Sequence, residues 1–210
     1  MKGTPLWYSA LRGLAIVVFR IFFAIKIEGK ENIPYRGGVI LASNHLSYLD
    51  PIVLGILVPR RVNFMAKEEL FENFLFRWLI TKLGAFPIKK ERIDRITYKK
   101  ILKLLEKEEV VVLFPEGTRS IDGRIGQLQG GTARIALKAD VPLIPIIVRG
   151  TEKVLPRGGK VIKLARIRAW AGKPLKKNMT SNKQITKKDI EELQRQLEEK
   201  MRLLYGEGLS

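Results

Sequence analysis

Two runs, Val110-Val111-Val112-Leu113-Phe114 and Leu143-Ile144-Pro145-Ile146-Ile147-Val148, carry no polar residue at alternate positions. A strand wetted on one face alternates apolar and polar side chains, whereas a strand covered on both faces does not. Around these runs, shorter β-rich segments (39–42, 62–66, 85–88 and 161–171) alternate with helical patterns (51–57, 70–83, 92–108, 128–138 and 186–204). The alternation predicts an α/β fold, a single domain with a mostly parallel central sheet flanked by helices. The 210 residues are enough for one core and short for two. Ligands of such sheets bind at the carboxyl ends of the strands, so the polar segments that directly follow strands are where chemistry is expected.

Charge narrows the partners. Thirty-nine Lys and Arg against 21 Asp and Glu give a formal net charge of +18. Residues 153–188 hold twelve basic and no acidic side chains. Such an excess points to an anionic partner: nucleic acid, an anionic lipid surface, or phosphorylated or acidic substrates. A nucleic-acid-binding module is the rival of another class. It lacks support from any zinc-finger or RNP-type motif, and the aromatics sit in apolar stripes instead of interleaving with the basic run. The absence of cysteine excludes a disulfide scaffold, a cysteine nucleophile and a thiolate metal site, and a single histidine excludes a histidine-based metal cluster.

Residues 1–27, apolar over 5–27, read as an N-terminal amphipathic helix that associates with membrane, leaving 28–210 as the main domain. The segment is long enough to span a bilayer. Arg12 and Arg20 interrupt it, and its longest apolar run is only Leu14 to Phe19. The two arginines fall roughly 80° apart on a helix, on one polar stripe with Ser9. An arginine at mid-bilayer costs at least ~2.5 kcal/mol, which favours a helix lying in the interface with its cations at the headgroups. The aromatics of Leu70 to Leu83 occupy several faces of a second helix, part of which is expected to touch core and part lipid.

The only imidazole, His45, follows the strand at 39–42, and Asp50 lies five residues on, ahead of Pro51. Asp50-Pro51 is a helix start, with Asp as the cap. The same carboxylate can accept from His45 Nδ1, fixing the tautomer and leaving Nε2 as a general base. No G-x-S-x-G elbow is present, and Ser43 and Ser47 are too near His45 in sequence to be taken as triad members. A His–Asp pair without a protein nucleophile implies attack by a substrate hydroxyl or by water. A second polar segment, Phe114-Pro115-Glu116-Gly117-Thr118-Arg119-Ser120, follows the strand at 110–114. It offers a glycine for close backbone approach, two hydroxyls and an arginine fork suited to a phosphate.

His45-x4-Asp50 and FPEGTRS resemble the PlsC-type 1-acylglycerol-3-phosphate acyltransferase family. Gly84 to Lys90 is similar to that family's second motif and Val141 to Ile146 to its fourth, so four blocks in order cover about residues 39–149. The resemblance implies acyl transfer from an acyl thioester, of acyl carrier protein or coenzyme A, to the sn-2 hydroxyl of 1-acylglycerol 3-phosphate (lysophosphatidate), giving phosphatidic acid. It implies His45 as the base and Asp50 as its partner, with Glu116, Gly117, Thr118 and Arg119 at the glycerol phosphate. Lys67 is a further phosphate candidate, and Lys89 and Arg92 are weaker ones. Pro142 and Pro145 are expected to shape the pocket wall. Backbone N–H groups near His45 or Gly117 are the expected oxyanion donors. No metal and no cofactor beyond the thioester co-substrate is implied, and no nucleic acid. The enzyme is expected on the cytoplasmic face of the cell membrane, held by its N-terminal helix. A sister enzyme acylating glycerol 3-phosphate or a lysophospholipid, and a thioesterase using the same pair on water, are the near alternatives.

Overall fold

A computed structural model describes residues 4–88, 93–159, 161–176 and 184–207. In chain order the elements are α1 (Leu6–Phe23), β1 (Lys26–Glu28), β2 (Val39–Ser43), α2 (Asp50–Leu57), β3 (Val62–Lys67), α3 (Phe74–Lys82), β4 (Ala85–Ile88) and α4 (Arg95–Glu106). They continue with β5 (Val110–Leu113), α5 (Gly131–Ala139), β6 (Leu143–Arg149), the one-turn α6 (Thr151–Val154), β7 (Arg168–Ala171) and α7 (Lys187–Glu207). The strands form one sheet in the order β1-β7-β6-β2-β5-β3-β4. Every neighbouring pair is parallel except β6–β7, so β1 and β7 run against the other five. The α/β sandwich with a mostly parallel sheet expected from the sequence is what the chain forms.

The two unalternating runs are β5 and β6, and their side chains are buried on both faces. Leu41, Val112, Ile144 and Ile146 pack with α1 and α2 on one side. Ile40, Val111, Leu143 and Ile147 pack with α4, α5 and α7 on the other. Leu193, Leu197 and Met201 form the buried stripe of α7. Thr186 and Asp189, three residues apart at the start of that helix, form a capping box: the Asp189 carboxylate accepts from the Thr186 amide, and the Asp189 amide donates back to Thr186 Oγ1.

Several boundaries differ from expectation. The N-terminal helix stops at Phe23, where Ala24 adopts a left-handed cap. Lys26–Glu28 then joins the sheet beside β7. Arg12 does not point to a headgroup layer: it donates to the carbonyls of Gly55 and Ile56, the free end of α2. Pro59, just beyond, has no N–H to offer such carbonyls. The helix expected over 70–83 is split into a 3-10 turn (Glu68–Phe71) and α3, because Asn73 caps the Phe76 amide and restarts it. The helix expected from 128 begins at Gly131, after the Gly130 cap.

The largest departure is at 161–171. Only Arg168–Ala171 is strand. Arg168 pairs with Arg149, the last residue of β6, so residues before Arg168 overrun the end of the strand they would pair with. Gly150, at φ +92°, turns the chain away there, and a Cβ at that position would lie 2.0 Å from the Arg166 carbonyl oxygen.

Candidate active site

β2 and β5 are neighbours, but the chain leaves them toward opposite faces, into α2 and α5 respectively. This is the point in such a sheet where the loops following the strands are expected to frame a ligand crevice. One loop carries His45 and the other carries Glu116 to Ser120. The two are stitched together: the His45 amide donates to Glu116 Oε1 at 3.1 Å, and the Ser120 amide donates to the His45 carbonyl at 2.8 Å. Asn44 ties the first loop to β6, accepting from the Val148 amide and donating to its carbonyl.

Within this frame His45 Nδ1 lies 2.8 Å from Asp50 Oδ2. The carboxylate is fully buried and the imidazole side chain is 19% exposed. Asp50 does not cap the first-turn amides of α2, as its place before Pro51 suggested, because it is already the first residue of that helix. Its Oδ2 accepts from the backward-lying amides of Leu46 and Ser47, at 2.7 and 2.8 Å, together with His45. Its Oδ1 accepts from Thr151 Oγ1 at 2.6 Å. Four donors converge on a group that only accepts, so the His45 proton sits on Nδ1 and the lone pair on Nε2. The Phe114 ring stacks on the imidazole at 3.9 Å between centroids and 15° between planes. The ring therefore has one orientation, set by a bond at one edge and a face against an aromatic.

The second loop is also over-determined. Glu116 is buried, and both of its oxygens are used, one by the His45 amide and one by the Gly126 amide at 2.8 Å. Burial raises its carboxyl above the ordinary range, against the opposing pull of those two amides. Its place is as a brace between loops. Gly117, at φ +73°, has its amide on the Phe114 carbonyl, and a Cβ there would meet the Gln129 side chain at 2.7 Å. Thr118 is exposed at the mouth. The Arg119 guanidinium lies over the Tyr48 ring at 3.9 Å, and its Nη1 is buried without a hydrogen-bond partner. Arg157 fixes the Arg119 carbonyl from the far side.

The amides of His45, Leu46, Ser47 and Gly117 are all engaged within the protein. Since each has already spent its single proton, the oxyanion donors expected near His45 or Gly117 are not these groups. Ser43 Oγ and Ser47 Oγ donate to the carbonyls of Asn44 and Leu155, so neither is a nucleophile for His45. Lys67 is exposed at the carboxyl end of β3, separated from β2 by β5 and hence roughly 10 Å away across two strand spacings. Lys89 and Arg92 lie outside the described residues. Pro145 faces Gly172, whose amide donates to the Pro145 carbonyl.

Sequence reasoning missed Thr151, Phe114, Tyr48 and Asn44. Thr151 is 101 residues from Asp50, and only the β6–β2 pairing brings it there. The one signal was position: Thr151 follows the end of a buried strand, the same rule that located His45.

Comparison with known proteins identifies the family. Residues 24–149 match the model of the Acyltransferase family. The chain is 31% identical over 160 residues to the 1-acyl-sn-glycerol-3-phosphate acyltransferase of Bacillus subtilis, covering 76% of this chain and 77% of that one. It is 33% identical over 160 residues to a chloroplastic 1-acyl-sn-glycerol-3-phosphate acyltransferase of Arabidopsis thaliana, covering 73% of this chain but only 44% of the plant protein. The crystal structure of the 1-acyl-sn-glycerophosphate acyltransferase PlsC of Thermotoga maritima superposes with a TM-score of 0.77 at 24% identity, over 95% of this chain and 79% of that one, and so shares the fold. With its His45–Asp50 pair and FPEGTRS loop inside the matched region, the chain belongs to the acyltransferase family.

Proposed function

We propose that the protein acylates the sn-2 hydroxyl of 1-acylglycerol 3-phosphate, using an acyl thioester and releasing phosphatidic acid and a free thiol. The observation that carries this reading is the pairing of a single-tautomer histidine with a buried, unpartnered arginine nitrogen across one crevice. The names of the Bacillus and Arabidopsis relatives support the same substrate. The acceptor phosphate binds the Arg119 fork, with the Thr118 hydroxyl alongside. This sets the sn-2 hydroxyl against His45 Nε2. As the hydroxyl oxygen bonds to the thioester carbonyl carbon, His45 takes its proton and Asp50 stabilises the imidazolium. The tetrahedral intermediate collapses, the C–S bond breaks, and the thiolate takes the proton from His45. Glu116 and Gly117 serve by shaping the loop. The donor is the thioester of acyl carrier protein or coenzyme A, and no other cofactor enters the step.

The substrates are lipids, so the crevice works at a bilayer surface. Among the described residues α1 is the one helix long and apolar enough to cross a membrane. It packs Tyr8, Phe19 and Phe23 on the domain while Leu6, Leu14, Val17, Ile21 and Phe22 stay exposed. An interfacial helix on the cytoplasmic face, with Leu6 to Phe22 in the acyl layer, fits that one-sided burial. The exposed Phe74, Leu75 and Trp78 of α3 form a second apolar surface.

The test is product identification by mass spectrometry. Purified protein receives acyl-coenzyme A or acyl carrier protein thioester with lysophosphatidate, glycerol 3-phosphate or lysophosphatidylcholine. Phosphatidate from lysophosphatidate alone is expected, and His45→Ala lowers its formation roughly a thousandfold while leaving thermal unfolding unchanged. A product from another acceptor moves the protein to a sister activity. Free fatty acid without any acylated product makes it a thioesterase.

A further inference from the structure

The segment that failed to form a strand has its own surface chemistry. Val161, Ile162 and Leu164 are 70%, 59% and 75% exposed, three large apolar side chains within four residues. Neighbouring apolar side chains facing water together mark a contact surface more often than a lone one does. The segment is held in place nonetheless. The Lys163 amide donates to Val154, and the fully buried Ile167 donates its amide to the Phe23 carbonyl and accepts from the Lys26 amide. The loop is thus fastened to the last turn of α1, whose outward face carries Ile21 and Phe22.

Cations sit at the same junction. Lys26, Arg166 and Arg168 line a cleft of about 250 Å³ with Ala24. Lys26 and Arg168 are register partners on adjacent parallel strands, where like charges repel unless an anion lies between them. None of the three forms an ion pair with a described carboxylate. The junction lies at the active-site end of the molecule, because Arg168 pairs with Arg149 at the carboxyl end of β6. The exposed aromatics of α3 follow the carboxyl end of β3, so they flank the crevice from the other edge of the sheet.

We propose that residues 161–168 are a second lipid-docking element, in which Val161, Ile162 and Leu164 enter the acyl layer and Lys26, Arg166 and Arg168 hold the phosphate of an anionic phospholipid. The inference rests on the membrane reading of α1 and deepens it. Apolar side chains beside a cationic cleft match a lipid, which presents acyl chain and phosphate together. Nucleic acid and free phosphate would meet the cations but leave the apolar side chains in water. Docking at both α3 and this loop turns the crevice toward the bilayer, where a lipid acceptor is concentrated.

The chain has no cysteine, so one introduced cysteine takes a polarity-sensitive fluorophore at a single site. Three labelled full-length variants, Leu164→Cys, Ile21→Cys and Lys200→Cys, are mixed with vesicles of phosphatidylcholine with or without phosphatidylglycerol. Lys200 is exposed on α7, across the sheet from α1. Labels at 164 and 21 are expected to shift to the blue on phosphatidylglycerol vesicles and the label at 200 to stay unchanged. Arg166→Gln with Arg168→Gln is expected to weaken binding to those vesicles roughly tenfold and to leave binding to pure phosphatidylcholine unaltered. A silent label at 164 with a shifted label at 21 overturns the loop proposal and keeps the membrane reading. No shift at either site and no flotation with vesicles overturns both. Equal loss on both vesicle types, or no loss, removes the phosphate-binding role of the cations.

Discussion

The two loops of the crevice reach order by different routes. On the His45 side the polar side-chain atoms other than the His45 Nε2 acceptor are engaged within the fold: Asp50 collects four donors, and Asn44 and Ser47 have protein partners. On the Arg119 side a guanidinium nitrogen is buried with no partner, although its ring contact with Tyr48 fixes the plane. A buried donor left unpaired is costly. The first side is positioned before any ligand arrives, whereas under the proposed reaction the second is completed by the acceptor's phosphate. The difference separates the two kinetic parameters. Damage to the complete side should appear in kcat, and damage to the incomplete side in the affinity for the phosphorylated acceptor.

After the loss expected of His45→Ala, the next largest effect tests the incomplete side. Arg119→Ala is expected to raise KM for lysophosphatidate roughly a hundredfold, with little change in KM for the thioester, because charge-assisted bonds to phosphate are lost. Arg119→Lys retains the charge without the planar fork and is expected to recover only part of the loss. Equal rises in both Michaelis constants would take Arg119 out of the phosphate site and erase the contrast.

What could be read in advance follows the same division. β5 and β6 were legible because burial on both faces leaves a continuous apolar run. The His45–Asp50 pairing was legible because it is local. Partners set by sheet register were not. Thr151 reaches Asp50 only through the β2–β6 pairing, and Arg12 finds the end of α2 from 43 residues away. Val161 to Leu164 has the composition of a buried strand, and what exposes it is the end of β6 at Arg149. No property of residues 161–164 themselves carries that information.

The complete side is tested by Thr151→Val, which keeps the side-chain shape and removes the donor on Asp50 Oδ1. Thr151 touches no substrate in the proposed step and acts as a positioning residue. Loss of one of four donors leaves the carboxylate freer to rotate away from His45 Nδ1. The expected result is about a tenfold lower kcat with KM for both substrates unchanged, and recovery in Thr151→Ser, which restores the hydroxyl. A rise in KM, or a serine variant as impaired as valine, would mean that Thr151 matters through packing alone.

The smallest expected effect falls on Glu116, which joins the two sides, and it is read through stability. Burial raises its carboxyl in the folded protein above the ordinary range of the unfolded chain, so the folded state binds its proton more tightly. The resulting stabilisation is fully present below the ordinary carboxylate range and is lost as pH rises through the raised value. Glu116→Gln cannot titrate. Its new amide group also turns a donor toward the His45 or Gly126 amide, which costs about 1–3 kcal/mol at every pH. Subtracting the variant's denaturant-derived stability from that of the parent should leave a difference that shrinks as pH rises through and above the carboxylate range. A difference that grows with pH would mean that the two amide bonds outweigh burial. Glu116 would then be a carboxylate held by its donors, much as Asp50 is, and the two loops would be more alike than their geometry suggests.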